Sequence, residues 1–227
     1  QLRWGTLDAA APARAAADAA RFTGDAGAIA ELFAQGEGGW RRLILLGVGD
    51  GAPADWAKAG GALTARLLTS GTTEVAVDLS ALSQAPAAEA VARFAAAAAQ
   101  RGWRHDKYRT KLPEAQKPTL DRITLVSAPD GTDAAWIAHA AATDGMALTR
   151  TLVAEPPNIL YPESFVARVE EAFAGTGAII DVLDEAAMRD LGMGALLGVS
   201  LGSAREARLL AIRWQGADAD ATPAVAL

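Results

Sequence analysis

The chain has 227 residues, about a quarter of them Ala, and a formal net charge of −6. An acidic chain is a poor candidate for binding the nucleic-acid backbone, which needs clustered Lys and Arg. The absence of Cys excludes disulfides, Cys-ligated metals and a thiol nucleophile within these residues, and it fits a reducing compartment. No apolar stretch of ~20 residues predicts a membrane span, and residues 1–8 lack the apolar region of a signal peptide.

The first half of the chain alternates between short apolar runs and Ala-rich helical segments, after a weakly patterned stretch over residues 1–40. Apolar runs at 42–48, 73–79 and 122–126 are typical of buried strands. Residues 53–70 and 87–101 are predicted to be helices, because Ala has the highest helix propensity. This βαβαβ order predicts an α/β fold, with a mostly parallel sheet flanked by helices.

The second half begins with a long helix predicted over 132–153, which Thr132 caps and Asp133 stabilises through the helix dipole. A further helix is expected to start at Pro162, with Phe165, Val169 and Phe173 on one face. Strands are predicted at 178–183 and 207–214, and a short capped helix lies between them at 184–191. Residues 223–227 have the pattern of a strand that is cut short, so we expect the chain to be the front part of a longer protein.

A glycine-rich turn follows the first predicted strand. Residues 47–52 match the pattern G-x-G-x-x-[GA] of dinucleotide-binding loops, and Asp78 at the end of the next strand has the chemistry to bind a ribose hydroxyl. However, Asp50 in the loop opposes a phosphate, and Pro53 and Asp55 indicate that the helix starts after the loop. The alternative is that the glycines serve the geometry of a strand-to-helix turn alone.

A second motif, over residues 198–202, matches the G-x-S-x-G pattern of a serine nucleophile. That nucleophile needs a strand before Ser200 and a helix after it, and here the predicted order is reversed. The two histidines, His105 and His139, both precede the serine, whereas the hydrolase order places the histidine after it. The sequence therefore does not support a serine hydrolase.

The remaining polar groups have structural interpretations. His139 lies among alanines of the long helix and is expected to be a packing or surface residue. His105 lies in a mixed charged and aromatic run at 103–111, which we interpret as a solvated loop or, alternatively, as a small basic patch for an anionic or subunit partner. Asp181, Asp184 and Glu185 surround a predicted helix start, where capping explains them. These residues therefore predict no catalytic, metal or cofactor site.

Two stretches of the second half resemble the leucine (cytosol) aminopeptidase family. Residues 150–165 (RTLVAEPPNILYPESF) are similar to the family signature ARDLVNEPPNVLTPEAF. Residues 182–185 (VLDE) and 191–204 (LGMGALLGVSLGSA) are similar to its VLDE and LGMGALLGVGQGS segments, and 208–214 resemble the strand that follows. Weaker similarity covers 22–27 and 106–111, and the order of segments agrees along the whole chain.

This resemblance implies a division of the chain into three parts. Residues 1–130 would be a macro-like N-terminal α/β domain, 131–154 a connector helix, and 155–227 the beginning of an incomplete α/β catalytic domain. Family members use two divalent metal ions, manganese or zinc among them, with a bridging water that attacks the first peptide bond. The family's metal ligands and catalytic residues begin in a strand that would start near Pro223 and continue past Leu227. The resemblance therefore implies no catalytic, metal or cofactor-binding residue within this chain.

The resemblance implies a cytoplasmic metallopeptidase that removes N-terminal amino acids from peptides with a free N-terminus and assembles as a homo-hexamer. We expect the full-length protein to be active and residues 1–227 alone to be inactive. The alternative function is a macro-like module that binds ADP-ribose or another nucleotide, or that serves assembly without peptidase activity. Neither a membrane nor a nucleic acid is expected as a partner.

Overall fold

A computed structural model describes residues 3–4, 7–8, 10–36, 39–82 and 84–216. The chain divides into two compact units, Gln1–Arg150 and Thr151–Leu227. The predicted boundaries at 130/131 and 154/155 remain predictions. The predicted strand at 223–227 lies outside the described residues.

The first unit contains most of the helices and strands. Its elements are β1 (Arg3–Trp4), β2 (Leu7–Asp8), α1 (Ala10–Ala19), β3 (Ile29–Gly36), β4 (Gly39–Leu46), α2 (Pro53–Leu67), β5 (Glu74–Asp78), α3 (Ala88–Gly102), β6 (Arg122–Val126) and most of α4 (Thr132–Ala154). Short 3₁₀ turns occupy Leu79–Ala81 and Glu114–Gln116.

The α/β class is confirmed, but fewer of the strand pairs are parallel than the sequence predicts. Among the described residues, β5 pairs with β6 in parallel, with Glu74 opposite Arg122. β1–β2, β3–β4 and β7 (Ile179–Leu183) with β8 (Leu209–Arg213) are antiparallel pairs. The difference arises because residues 29–36, for which no strand is predicted, form a hairpin with β4.

The predicted helices are present with small shifts at their ends. The helix expected at 53–70 begins at Pro53 and ends at Leu67, and that expected at 87–101 spans Ala88–Gly102. Asp133 lies in the first turn of α4 as predicted. The predicted capping role of Thr132 is wrong, because Thr132 is the first residue of the helix and its hydroxyl donates to the Pro129 carbonyl at 2.7 Å, in the turn before the helix.

The core of the first unit lies between α2 and α3. Leu63 and Leu67 of α2 and Val91 and Phe94 of α3 are almost fully buried. Trp56 meets Phe94 edge to face, with 6.2 Å between the ring centroids. Apolar residues of the strands complete this core from one side, namely Ile44, Leu46, Val75, Val77 and Leu125.

The two helices approach closely because Gly60 has no side chain. A Cβ atom built on Gly60 would overlap the carbonyl oxygen of Phe94. The neighbouring Gly61 has open space at the same position. The glycine at position 60 therefore permits the spacing on which the α2–α3 core depends.

A half-buried ion cluster joins the β3–β4 hairpin to α2. The Glu31 carboxylate accepts hydrogen bonds from Arg66 Nε at 2.7 Å and from Arg42 Nη2 at 2.8 Å. Arg42 also donates to the hydroxyls of Ser70 and Thr72, both at 3.1 Å. The hydrogen bond from Arg66, with that from Arg42, lowers the pKa of Glu31 to about 2.

The second unit contains α5 (Pro162–Phe173), β7, α6 (Glu185–Asp190), α7 (Gly194–Ser200) and β8. The predicted start of α5 at Pro162 is confirmed, and Val169 of the predicted face is buried, but Phe165 of that face is not. Val166 and Val169 are buried, whereas Phe165 is 38% exposed. Residues three apart lie on the same side of a helix, so Val166 and Val169 form the buried stripe and Phe165 lies at its margin.

No helix within the described part of the chain has both the length and the apolar character needed to cross a bilayer.

We predict that Gly60→Ala destabilises the protein by about 2 kcal/mol or more, because the added methyl group overlaps the Phe94 carbonyl and forces α2 and α3 apart. Urea unfolding followed by circular dichroism measures this change. Gly61→Ala is the matched control and is expected to be neutral or to stabilise by up to about 1 kcal/mol, through helix propensity. Equal effects of the two substitutions would contradict the role given to Gly60.

We predict that the Glu31 cluster stabilises the fold at neutral pH and fails in acid. The folded-state pKa lies below its ordinary value of 4.5, so the stabilisation is present above pH 4.5 and is lost as the pH falls towards 2. Glu31→Gln is expected to cost about 1–3 kcal/mol at pH 7, allowing for the exposure of Arg66, and progressively less below pH 4.

Urea unfolding of both proteins between pH 7 and pH 2.5 measures this difference. Glu74→Gln serves as control, because the exposed Glu74–Arg122 pair at 3.9 Å should contribute little at any pH. A Glu31→Gln cost that stays constant down to pH 2.5 would show that the carboxylate charge is not its source.

Candidate functional site

The glycine-rich turn between β4 and α2 is held by hydrogen bonds within the chain. Gly47 N–H donates to the Ala28 carbonyl at 2.8 Å, and Gly27 N–H donates to the Gly47 carbonyl at 2.9 Å. Gly49 N–H donates to the Gly24 carbonyl at 3.0 Å. The N–H groups of Gly47 and Gly49 are therefore hydrogen-bonded to the neighbouring turn at 24–28 and are not free to bind a phosphate.

The same contacts explain why glycines occupy this turn. A Cβ atom on Gly47 would overlap the backbone of Gly24 and Asp25, so the two segments could not approach. Gly49 and Gly51 have φ values of 55° and 80°, in the left-handed region that glycine adopts without strain. The structure thus supports the geometric interpretation of residues 47–52.

The acidic residues near this turn also have local partners. Asp55 Oδ2 accepts a hydrogen bond from Ala52 N–H at 3.3 Å and so helps to start α2. Asp78 Oδ1 accepts from the Ser80 N–H at 2.9 Å and from the Ser80 hydroxyl at 2.7 Å. Asp50 is exposed. Asp78 therefore starts the 3₁₀ turn that follows β5, and nothing here arranges it for a ribose.

The motif around Ser200 has the chain order that the sequence predicts. Ser200 is the last residue of α7, and the next strand, β8, begins at Leu209. The Ser200 hydroxyl donates to the Leu197 carbonyl at 3.0 Å. A helix before the serine and a hydroxyl engaged with its own helix both oppose a nucleophilic role.

The aromatic residues of the segment 103–111 stack on one another. The rings of Trp103 and His105 are stacked at 6.3 Å, and His105 meets Tyr108 edge to face at 5.7 Å. Arg150 of α4 lies over Trp103 at 5.8 Å, and Lys107 lies over Tyr108 at 5.3 Å. This packing fits an ordered loop with aromatic anchors, the first of the two interpretations made from the sequence.

Three charged residues of this segment pair with one another. Asp106 accepts a hydrogen bond from Arg104 Nε at 2.6 Å and lies 3.4 Å from Arg109 Nε. The hydrogen bond from Arg104 lowers the pKa of Asp106, so the carboxylate stays ionised. The carboxylate thereby neutralises part of the positive charge that a basic patch would offer to a partner.

The second histidine bridges two helices. His139 Nε2 of α4 lies 3.0 Å from Glu89 Oε1 of α3, and Arg93 Nε donates to the same oxygen at 2.7 Å. These hydrogen bonds, first that of His139 and then that of Arg93, lower the pKa of Glu89. His139 is therefore a partly buried residue of the α3–α4 contact, in line with its predicted role.

The three acidic residues that surround the start of α6 in the sequence have structural partners. Asp184 Oδ1 accepts from Ala187 N–H at 2.8 Å and caps α6 as predicted. Glu185 accepts from Ala207 N–H at 3.0 Å, and Asp181 pairs with Arg213 at 2.8 Å. Within residues 3–216 as far as they are described, no three His, Asp or Glu side chains gather as metal ligands would.

The structure contains one buried ion pair that the sequence analysis does not predict. Arg168 Nη1 of α5 donates to Glu155 Oε1 at 3.2 Å, and the Glu155 side chain is only 2% exposed. A glutamate directly before Pro156 and Pro157 is the available signal, because its surroundings are fixed by two rigid residues. The pair holds the start of the second unit together.

Comparisons with known proteins match both parts of the chain. The sequence model of the cytosol aminopeptidase family's N-terminal domain matches residues 8–112, and that of its catalytic domain matches residues 147–227. A probable cytosol aminopeptidase of Methylorubrum populi is 40% identical over 93% of this chain and 42% of its own length. A probable cytosol aminopeptidase of Caulobacter vibrioides is 38% identical over 89% of this chain and 41% of its own length.

Solved structures agree in fold. The bottromycin maturation enzyme BotP in complex with Mn has a TM-score of 0.71 at 22% identity, covering 88% of this chain and 42% of its own. A mutant of tomato leucine aminopeptidase has a TM-score of 0.68 at 21% identity, and the match covers 85% of this chain and 39% of the tomato enzyme. At this identity the structures show a shared fold alone.

The chain spans about two fifths of the length of the curated relatives that it matches. Two family domains match it in sequence order, and relatives near 40% identity cover almost all of it. The chain belongs to the cytosol aminopeptidase family.

Proposed function

We propose that the protein containing this chain is a metal-dependent aminopeptidase that removes N-terminal amino acids from peptides. The observation that carries this proposal is the 40% identity, over 93% of the chain, to a relative named as a probable cytosol aminopeptidase. The order of the two matched family domains supports it. In this proposal the chain supplies the N-terminal domain, the connector helix and the beginning of the catalytic domain.

We further propose that the metals are two divalent ions, manganese or zinc. The solved complex of BotP with Mn supports a metal requirement in this fold. The described residues of this chain do not fit such a site, because no three of their His, Asp or Glu side chains gather as metal ligands would, and several of them serve caps and ion pairs. We therefore propose that the metals are held by residues outside the described part of the chain, past Leu227 as the family resemblance implies, and that residues 1–227 alone are inactive.

The relatives' names support a cytoplasmic location. Homo-hexamer formation and peptides with a free N-terminus as substrates are proposed from the family resemblance described above. These proposals concern the whole protein. The chain itself corresponds to about two fifths of the length of its relatives.

We predict that the full-length gene product hydrolyses leucine p-nitroanilide in the presence of Mn²⁺ or Zn²⁺, and that the 227-residue chain does not. Chelation should lower the rate of the full-length protein at least about 100-fold, and added metal should restore it. Acetyl-leucine p-nitroanilide is the control substrate, because its blocked amine should prevent hydrolysis. Absorbance of released nitroaniline measures both.

Two results would contradict these proposals separately. Metal-dependent hydrolysis by the 227-residue chain would contradict the placement of the metal residues. A full-length protein that stays inactive with each of Mn²⁺, Zn²⁺ and Mg²⁺ would contradict the aminopeptidase function.

The nucleotide-binding alternative has a test of its own. Because the N–H groups of Gly47 and Gly49 donate to residues 24–28 and that of Gly51 donates to the Val48 carbonyl, we predict no saturable heat on titration of the chain with ADP-ribose or NAD up to about 1 mM. Saturable micromolar binding that is weakened by Asp78→Ala would support a nucleotide site at this turn instead.

A further inference from the structure

Within the described residues, one edge of strand β6 has no partner strand. Among the described strands, only β5 is paired with it. Arg122 N–H donates to the Thr73 carbonyl on the β5 side at 3.1 Å. Because successive residues of a strand direct their backbone groups to opposite edges, those of Ile123 and Leu125 point away from β5. No described residue forms a hydrogen bond with these outward groups.

A groove of about 520 Å³ adjoins this edge of the strand. Its volume lies within the range of pockets that bind small ligands or peptide side chains, ~300–1,000 Å³. The space exists because the facing side chains of α3 are alanines, which end at Cβ. Its walls are mainly apolar and include Ala95 and Ala99 of α3, Ile123 and Leu125 of β6, and Trp136 of α4.

Two carboxylates lie in the lining of the groove. Asp121 precedes β6, and Asp133 belongs to the first turn of α4. Both are exposed, and within the described part of the chain neither carboxylate has an ion pair. The one cationic residue of the lining, Arg122, lies 3.9 Å from Glu74. The groove therefore favours a positively charged occupant.

We propose that the free edge of β6 and this groove together form a docking site for an extended peptide segment. The segment would pair with Ile123 and Leu125 as an added strand. Its alternate side chains would be small or medium apolar residues that enter the groove, and a Lys or Arg would lie near the two carboxylates. Edge-strand addition with side-chain pockets is an established mode of peptide recognition.

The charges and the shape decide between this occupant and others. A second copy of this chain paired through the same edge would present the same lining, with two carboxylates and one arginine, so it would add no net positive charge to complement the groove. A compact small molecule would fill the groove but leave the outward N–H and C=O groups of β6 unpaired. An extended cationic peptide satisfies the backbone groups, the apolar walls and the carboxylates at once.

The test measures fluorescence anisotropy of the peptide acetyl-Lys-Val-Ala-Val-Ala, labelled with fluorescein at its C-terminus, with the full chain. The acetyl group protects the peptide from any aminopeptidase activity. Saturable binding with a Kd of about 100 μM is expected. A peptide N-methylated at both Val residues should bind at least tenfold more weakly, because its strand donors are removed.

Two variants test the groove and its charge. Ala99→Phe should raise the Kd at least tenfold, because its ring fills the groove from an exposed position of α3. Asp133→Asn should raise the Kd about threefold for the Lys peptide and leave unchanged that of a peptide with Gln in its place. Asp144→Asn, at an exposed position of the same helix outside the groove, is the matched control and should change neither.

The proposal is overturned if the unmodified chain shows no saturable binding up to about 1 mM peptide, or if the N-methylated peptide binds equally well. An unchanged Kd for a folded Ala99→Phe variant would overturn it as well. If thermal unfolding shows that this variant does not fold, the N-methylated peptide alone decides the outcome. None of these results depends on metal or on peptidase activity.

Discussion

The first unit depends on the close approach of α2 and α3. Gly60 lies against the Phe94 carbonyl, where no larger residue fits without displacing a helix. This spacing lets Trp56 meet Phe94 edge to face and buries Leu63, Leu67 and Val91 between the helices and the strands. The hairpin is then tied to α2 by Glu31 and its two arginines. A change in the helix spacing would therefore displace the strands packed against the helices and the hairpin tied to α2.

The abundance of alanine acts in two opposite ways on this architecture. On the buried side of α3, Ala90 and Ala96 permit tight helix packing. Further round the same helix, Ala95 and Ala99 leave the groove beside β6 open, because small side chains cannot reach the strand. Composition alone therefore predicts helices, but which alanines pack and which leave space depends on the three-dimensional arrangement.

The sequence predicts the helices and most strands because their signals are local. Pro53, Pro162 and Asp184 mark helix starts that the structure confirms, and β6 spans the predicted residues 122–126. Strand β3 could not be predicted, since its face toward α2 includes Glu31, a charge that only the distant arginines make acceptable.

For the candidate sites, the sequence left the 47–52 turn open between two interpretations. The contacts with residues 24–28, which are not visible in the local pattern, favour the geometric one.

The family resemblance is strongest in a part of the chain whose described residues perform structural tasks. Between residues 150 and 216, Glu155 is buried against Arg168, Ser164 accepts a hydrogen bond from Tyr161 N–H at 2.9 Å, and Asp184 caps α6. Caps, proline turns and buried ion pairs each demand particular residue types at fixed spacing, so they leave a recognisable sequence. Packing between Ala-rich helices accepts many apolar combinations of similar volume, and its sequence is correspondingly less specific. This difference explains why the family can be identified from segments that hold the fold together.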